Sequence, residues 1–202
     1  MKNLKFLSTL LSIFFVAVFF TSCSEYSDLH NNKANRSNVE MEEANPSEQE
    51  ELSVVGTALS VNAATKTETE PGEFSTLIAA LVYTDLVGAV DAFGQVTVFA
   101  PTDAAFADLG LNATNISSKF AGDDGKAALS NILLYHLKTG RQASTPVLNK
   151  KQIRMVNGGF TYPDSSLPGL EANNSTAGFV LDLIDISASN GIIHVIDAVL
   201  LP

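Results

Sequence analysis

The sequence predicts one packed domain of the α+β class over residues 54–202, and three observations lead there. Apolar residues early in that span recur at helical spacing, as Phe74, Leu77, Ile78 and Leu81 do. The C-terminal third reads instead as short apolar or alternating runs, broken at Asn157-Gly158 and Asn190-Gly191, pairs that favour tight hairpin turns. With 46% hydrophobic and 17% charged residues, the chain has enough apolar surface to build a core.

Two segments precede the domain. Lys2 and Lys5 give a positive start, and Phe6 to Phe20 form an apolar run interrupted only by Ser8, Thr9 and Ser12. That run is shorter than the roughly 20 residues a membrane-spanning helix needs, so residues 1–22 read as a cleaved signal. Its end, FFTSC, resembles a bacterial lipobox. The resemblance implies cleavage before Cys23 and acylation of its sulfur, with a second acyl chain making the anchor stable. Cys23 is the only cysteine, which excludes an intramolecular disulfide. From Ser24 to Val54, Lys33 and Arg36 stand against eight acids, a net of −6 with little to form a core. Residues 23–53 are therefore expected to be a lipidated cysteine and a flexible acidic tether.

The domain's elements follow in order. VVGTALSVN reads as a short helix and Ala63 to Gly72 as a polar loop, while Gly88 interrupts a second apolar stretch. VTVFA alternates like a strand and stops at Pro101, which lacks an N–H and disfavours helical geometry in Ala100. Thr102 and Asp103 then precede AAFADL, where either side chain can accept from the free N–H groups of a first helical turn. GKAALSNILLYHLK is a helix with Asp123 and Asp124 at its start and Lys138 and Gly140 at its end. It sets Leu129, Ile132, Leu133 and His136 on one face. QIRMVNGGFTY is a hairpin, and FVLDLIDIS and IIHVIDAVLL form another. The last strand is apolar on both sides, with Ile192, His194 and Ile196 on one and Ile193, Val195 and Val199 on the other. A strand of that kind belongs in the middle of a core.

Chemistry is hard to find in this chain. The net charge of −10 removes electrostatic support for nucleic acid and disfavours anionic substrates. No nucleophile elbow, metalloprotease helix, P-loop or dinucleotide fingerprint occurs. His194 and Asp197 lie three apart in a strand and point to opposite faces, so they form no local dyad. His136 on an apolar face reads as a hydrogen-bonded core histidine rather than a base or metal ligand. The hydroxyl and carboxylate of Thr102 and Asp103 read as helix caps. No catalytic residue, cofactor or metal is expected.

TVFAPTDAAFADL, NILLYHL and NGIIHVIDAVLLP, in that order and spacing, resemble the fasciclin (FAS1) domain over about Val54 to Pro202. The resemblance implies a wedge of β-strands packed with several helices, and a non-enzymatic extracellular module for adhesion or matrix binding. It makes Pro101, Thr102, Asp103, His194 and Asp197 motif positions with structural roles. It also points to Tyr135 and His136 as candidate partner-binding residues. Phe160 to Ala177 fits the family loosely and is where a particular ligand would be chosen. Phe160, Tyr162 and Phe179 are the aromatic candidates for a sugar in a chain without tryptophan. Arg141, Lys150, Lys151 and Arg154 form a basic cluster that reads as a guarded strand edge. The whole predicts a module on the bacterial cell envelope, anchored in the bilayer through Cys23, with Ser24 favouring the outer membrane. Its partner is expected to be a protein or matrix component, or alternatively a glycan in polysaccharide capture.

Overall fold

The two strands that the sequence marks as most apolar lie side by side at the centre of the molecule. The computed structural model describes residues 51–67, 72–164 and 168–202. The signal segment, Cys23 and all but the last few tether residues lie outside the described residues, as does part of the Ala63 to Gly72 loop. The described residues all fall in one compact unit.

Strand β1 (Val96–Pro101) runs parallel to β8 (Gly191–Ile196) in a sheet of order β2-β1-β8-β7, where β2 is Leu137–Thr139 and β7 is Ile186–Ala188. Every residue of β8 is buried, as its two apolar faces require. Ile193 and Val195 turn to one side with Val96 and Ala100 of β1, and Ile196 turns to the other with Phe99.

Helices cover the first side: α1 (Val54–Thr65), α2 (Ser75–Tyr83), α3 (Val87–Ala92), α4 (Asp103–Ala107), α5 (Ile116–Lys119) and α6 (Gly122–Leu134). They supply Val54, Phe74, Leu77, Phe106 and Leu133 to that core. The second side packs on an antiparallel sheet in sequence order: β3 (Ile153–Arg154), β4 (Phe160–Asp164), β5 (Gly169–Glu171) and β6 (Thr176–Gly178). Ile153, Leu170 and Ala177 face inward there, with Val147 of α7 (Ser144–Leu148). The fold is α+β, helices and two strand layers around two cores.

Three sequence expectations change. Helix α6 stops at Leu134 and not at Lys138, because Leu137 to Thr139 pair with β1 as an edge strand. The pairing supplies backbone partners that local helix propensity cannot outweigh. Only the end of FVLDLIDIS is a strand. Leu181 to Leu183 make a single 3-10 turn, and Asp185 takes φ +57, a left-handed conformation that interrupts an extended run. Gly88 lies inside α3 rather than breaking it.

The final hairpin forms with Ser189 and Asn190 as its loop, since Ala188 pairs with Gly191. The Asn190 amide ties that loop to the helices: its oxygen accepts from Val54 N–H at 2.8 Å and its nitrogen donates to Asp91 C=O at 3.4 Å. Gly191 is required because a Cβ there would meet the Val96 carbonyl oxygen at 2.2 Å. The stretch from Phe160 to Ala177, expected to fit the family loosely, contributes β4, β5 and most of β6 to the second sheet.

Candidate functional site

At the strand-to-helix joint, Pro101 closes β1 opposite Ile196 and Thr102 caps α4, its Oγ1 accepting from Ala105 N–H at 3.2 Å. Asp103 does something the local sequence hides. Its Oδ1 accepts from Thr76 N–H at 2.7 Å, so it caps the first turn of α2, 27 residues upstream. One joint thus holds two helix ends. Replacing either Thr102 or Asp103 by alanine is expected to cost about 1 kcal/mol, within the ~0.5–2 kcal/mol typical of lost caps. Denaturant midpoints check this, and a loss below ~0.3 kcal/mol at Asp103 would remove the bridging role.

A concavity of about 370 Å³ opens beside this joint between Ser75, Asp103, Ala107 and Asn112. Asp103 is its one acid, already engaged with α2, and no histidine lines it. It offers no nucleophile paired with a base.

His136 follows the end of α6 and is 3% exposed. Its Nδ1 donates to Ile132 C=O at 2.8 Å and its Nε2 accepts from Leu200 N–H at 2.9 Å. A backbone N–H can only donate, so the ring is neutral with its proton on Nδ1. Burial lowers its pKa to about 4, the Ile132 bond opposing only in part. Tyr135 is 0% exposed, and its hydroxyl donates to the carbonyl of Phe160. Burial raises its pKa above the ordinary value. The expectation that Tyr135 and His136 meet a partner is therefore corrected. They lie inside because the chain turns inward after α6 to supply β2, and both are committed to the backbone.

His194 is buried on β8 in a three-ring cluster with Phe99 and Phe179, at centroid separations of 5.7 and 5.6 Å. Its Nε2 donates to Gln142 C=O at 2.9 Å and its Nδ1 accepts from Asp185 N–H at 3.2 Å. Burial lowers its pKa, against the opposing Gln142 bond and Asp185 charge. Asp185 also receives the N–H and hydroxyl of Ser144 at the start of α7. Burial alone would raise its pKa, but these two bonds and the His194 charge hold it below the usual value. Serine, aspartate and histidine do come together here, but the carboxylate stands between the other two and the hydroxyl has no base. This is a clasp between α7 and the central sheet.

Asp197 does not meet His194. Its Oδ1 accepts from Gly178 N–H at 2.7 Å, which pins β6 to the end of β8. Phe179 is buried in the aromatic stack and is withdrawn as a surface candidate. No group of three His, Cys, Asp or Glu among the described residues can hold a metal ion.

Phe160 and Tyr162 are different. They alternate along β4 with buried Thr161, so both rings point outward, 37% and 44% exposed. Arg154 is the cross-strand neighbour of Phe160, and Glu171 that of Tyr162, with Thr176 beyond on β6. All of these are exposed. Beneath them the sheet is anchored by the Tyr135 hydroxyl on Phe160 and by close packing of the Tyr135 ring on Gly159, where a Cβ would come within 2.8 Å. The buried tyrosine thus sets the backbone of the exposed strand. Sequence reasoning missed that link, which joins residues 25 positions apart.

The fasciclin domain model matches residues 72–202. The chain is 36% identical over 155 residues to Protein sll1483 of Synechocystis sp., covering 76% of this chain and 82% of that one. It is also 36% identical over 130 residues to Uncharacterized protein sll1735 of the same organism, covering 63% and 89%. Human periostin is 27% identical over 132 residues, 64% of this chain but only 15% of periostin. A solved FAS1 domain pair from the insect cell adhesion molecule Fasciclin I is similar with a TM-score of 0.47 at 23% identity, covering 62% of this chain and 45% of that one. The ordered motifs, the mixed helix-and-sheet core and the family match over most of the chain lead to one conclusion: the protein belongs to the fasciclin domain family.

Proposed function

We propose that this chain is a non-enzymatic adhesion module of the bacterial cell envelope, anchored through acylated Cys23, that binds a matrix or protein partner with the outward face of its second sheet. One observation carries the reading: Phe160 and Tyr162 stand exposed side by side on a strand whose backbone is fixed from below. Aromatic anchors on a rigid element are what a binding surface needs, because they present large area while losing little conformational freedom. Both domain histidines are spent on backbone groups, which supports binding rather than catalysis. Membership of the fasciclin family supports the same choice. The lipobox-like FFTSC supports the anchor, and Ser24 supports the outer membrane.

The soluble chain from Ser24 onward, presented to immobilised matrix proteins and glycans side by side, tests this. The variant Phe160→Ala/Tyr162→Ala is expected to lose about tenfold or more in affinity, since central aromatic contacts commonly contribute ~2 kcal/mol. Its thermal stability should hardly change, because both rings face solvent. Unchanged binding would move the site elsewhere. A saturable signal on neutral glycans alone would favour the alternative, a carbohydrate-capture accessory in which the same two rings stack on sugars.

A further inference from the structure

Charge is distributed unevenly in this acidic chain. Between Gly125 and Pro163 there is no Asp or Glu, yet Lys126, Lys138, Arg141, Lys150, Lys151 and Arg154 all fall there. Lys126 is paired with Asp85. Among the described residues no carboxylate stands within ion-pair distance of the other five.

The fold gathers four of these five, Lys138, Lys150, Lys151 and Arg154. Val156 N–H donates to Leu137 C=O at 2.8 Å, which lays the β3 segment along the outer edge of β2. Lys138 on β2 and Lys150 ahead of β3 are close enough to repel. Burial, and then the Lys150 charge, hold the Lys138 ammonium below its usual pKa. Arg141 stands apart from them: its guanidinium donates to Ala188 C=O at 2.8 Å and to the Ser187 hydroxyl on β7, the opposite edge of that sheet, and Ser187 in turn donates to a Glu51 carboxylate oxygen at 2.8 Å. Arg154 is exposed across from Phe160. A cationic strip without an ion-paired carboxylate among the described residues therefore runs from the edge of the first sheet to the aromatic pair on the second, and Glu171 opposite Tyr162 closes it.

We infer that this strip, with Phe160 and Tyr162 at its end, binds an acidic polysaccharide, a chain of carboxylated or sulfated sugars. The inference rests on the adhesion reading above and names its partner class. Like charges left unpaired at short range repel, and a polyanion relieves them while releasing its own condensed counterions. The strip is extended, spread from β2 to β3, which suits a polymer better than a small anion. The flat rings beside it offer apolar faces to sugar C–H groups. Nucleic acid fits less well. It carries a phosphate charge about every 1.7 Å of duplex axis, far denser than one charge per sugar ring, and the rest of this domain repels it.

The test uses the chain from Ser24 onward on immobilised polygalacturonate, dextran sulfate and neutral dextran. Binding is expected to one or both acidic polymers and not to dextran, the two acidic arms separating carboxylate from sulfate recognition. Raising NaCl from 50 to 500 mM should weaken it by about tenfold or more, as counterion release requires. Lys150→Gln/Lys151→Gln/Arg154→Gln should lose about as much while melting like the parent, because these side chains are not part of either core. Equal binding to dextran, or full binding by that variant, would overturn the inference. Polymer binding that appears only after residues 24–44 are removed would assign the strip to the acidic tether and overturn it too. Matrix-protein binding that depends on Phe160 and Tyr162 but not on salt would sink the polysaccharide and keep the adhesion face. Binding to nothing in either panel would sink both.

Discussion

Phe99→Ala is expected to lower the unfolding free energy by about 3–5 kcal/mol, the range for truncating a buried phenylalanine. Phe99 is fully buried on β1, its ring stacked on Phe179 at 6.2 Å and on His194 at 5.7 Å. It points away from the helices and toward the second sheet, so it ties the two strand layers together. The loss also frees one side of the His194 ring. Chemical denaturation measures the effect, with Phe99→Leu as a milder companion expected to cost about 1–2 kcal/mol. A loss below ~1 kcal/mol for the alanine variant would mean that the layers are held by something other than this stack.

The central sheet was the most legible part of the sequence. Strand periodicity assigned Ile192, His194 and Ile196 to one side of β8 and Ile193 and Val195 to the other, and the two cores divide the strand accordingly. Period two survives in a single sequence because it needs no knowledge of the partner strand. The Pro-Thr-Asp joint was half legible. Thr102 caps its own helix, whereas Asp103 serves another helix through a contact that local pattern cannot register. The end of α6 was misread because Tyr135, His136 and Leu137 continue its apolar spacing; only the open edge of β1 draws Leu137 into a strand. That edge also decides the candidate site. The Tyr135-His136 pair turns inward with the chain, while Phe160 and Tyr162, in the second run of the expected QIRMVNGGFTY hairpin, lie on β4 and face out. The cationic strip was visible as residues and invisible as a surface, since it takes the Val156 to Leu137 bond to place β3 beside β2.

Acid is expected to destabilise the protein through His136, with a direction fixed by geometry. The unfolded chain protonates this imidazole near pH 6.5, whereas the folded one resists until about pH 4. Between those values the unfolded state binds more protons, so stability falls as pH falls through 6.5 and the loss is complete below 4. The difference corresponds to about 3 kcal/mol at most. His194, also held below its ordinary value by burial, adds a loss of the same sign. Asp185 contributes separately, at lower pH, where its depressed carboxyl finally takes a proton. Urea titrations at pH 7.5, 5.5 and 4.5 measure the slope, and His136→Asn isolates this histidine from the other acid-labile groups. The variant is less stable at pH 7.5, having lost bonds to Ile132 and Leu200, but its stability should decline more shallowly as pH falls. Parallel slopes for parent and variant would mean that His136 titrates normally in the folded protein. It would then have to be exposed, and the Tyr135-His136 pair would return as a surface for partners. A steeper slope in the parent keeps the pair inside and leaves recognition to the outer face of the second sheet.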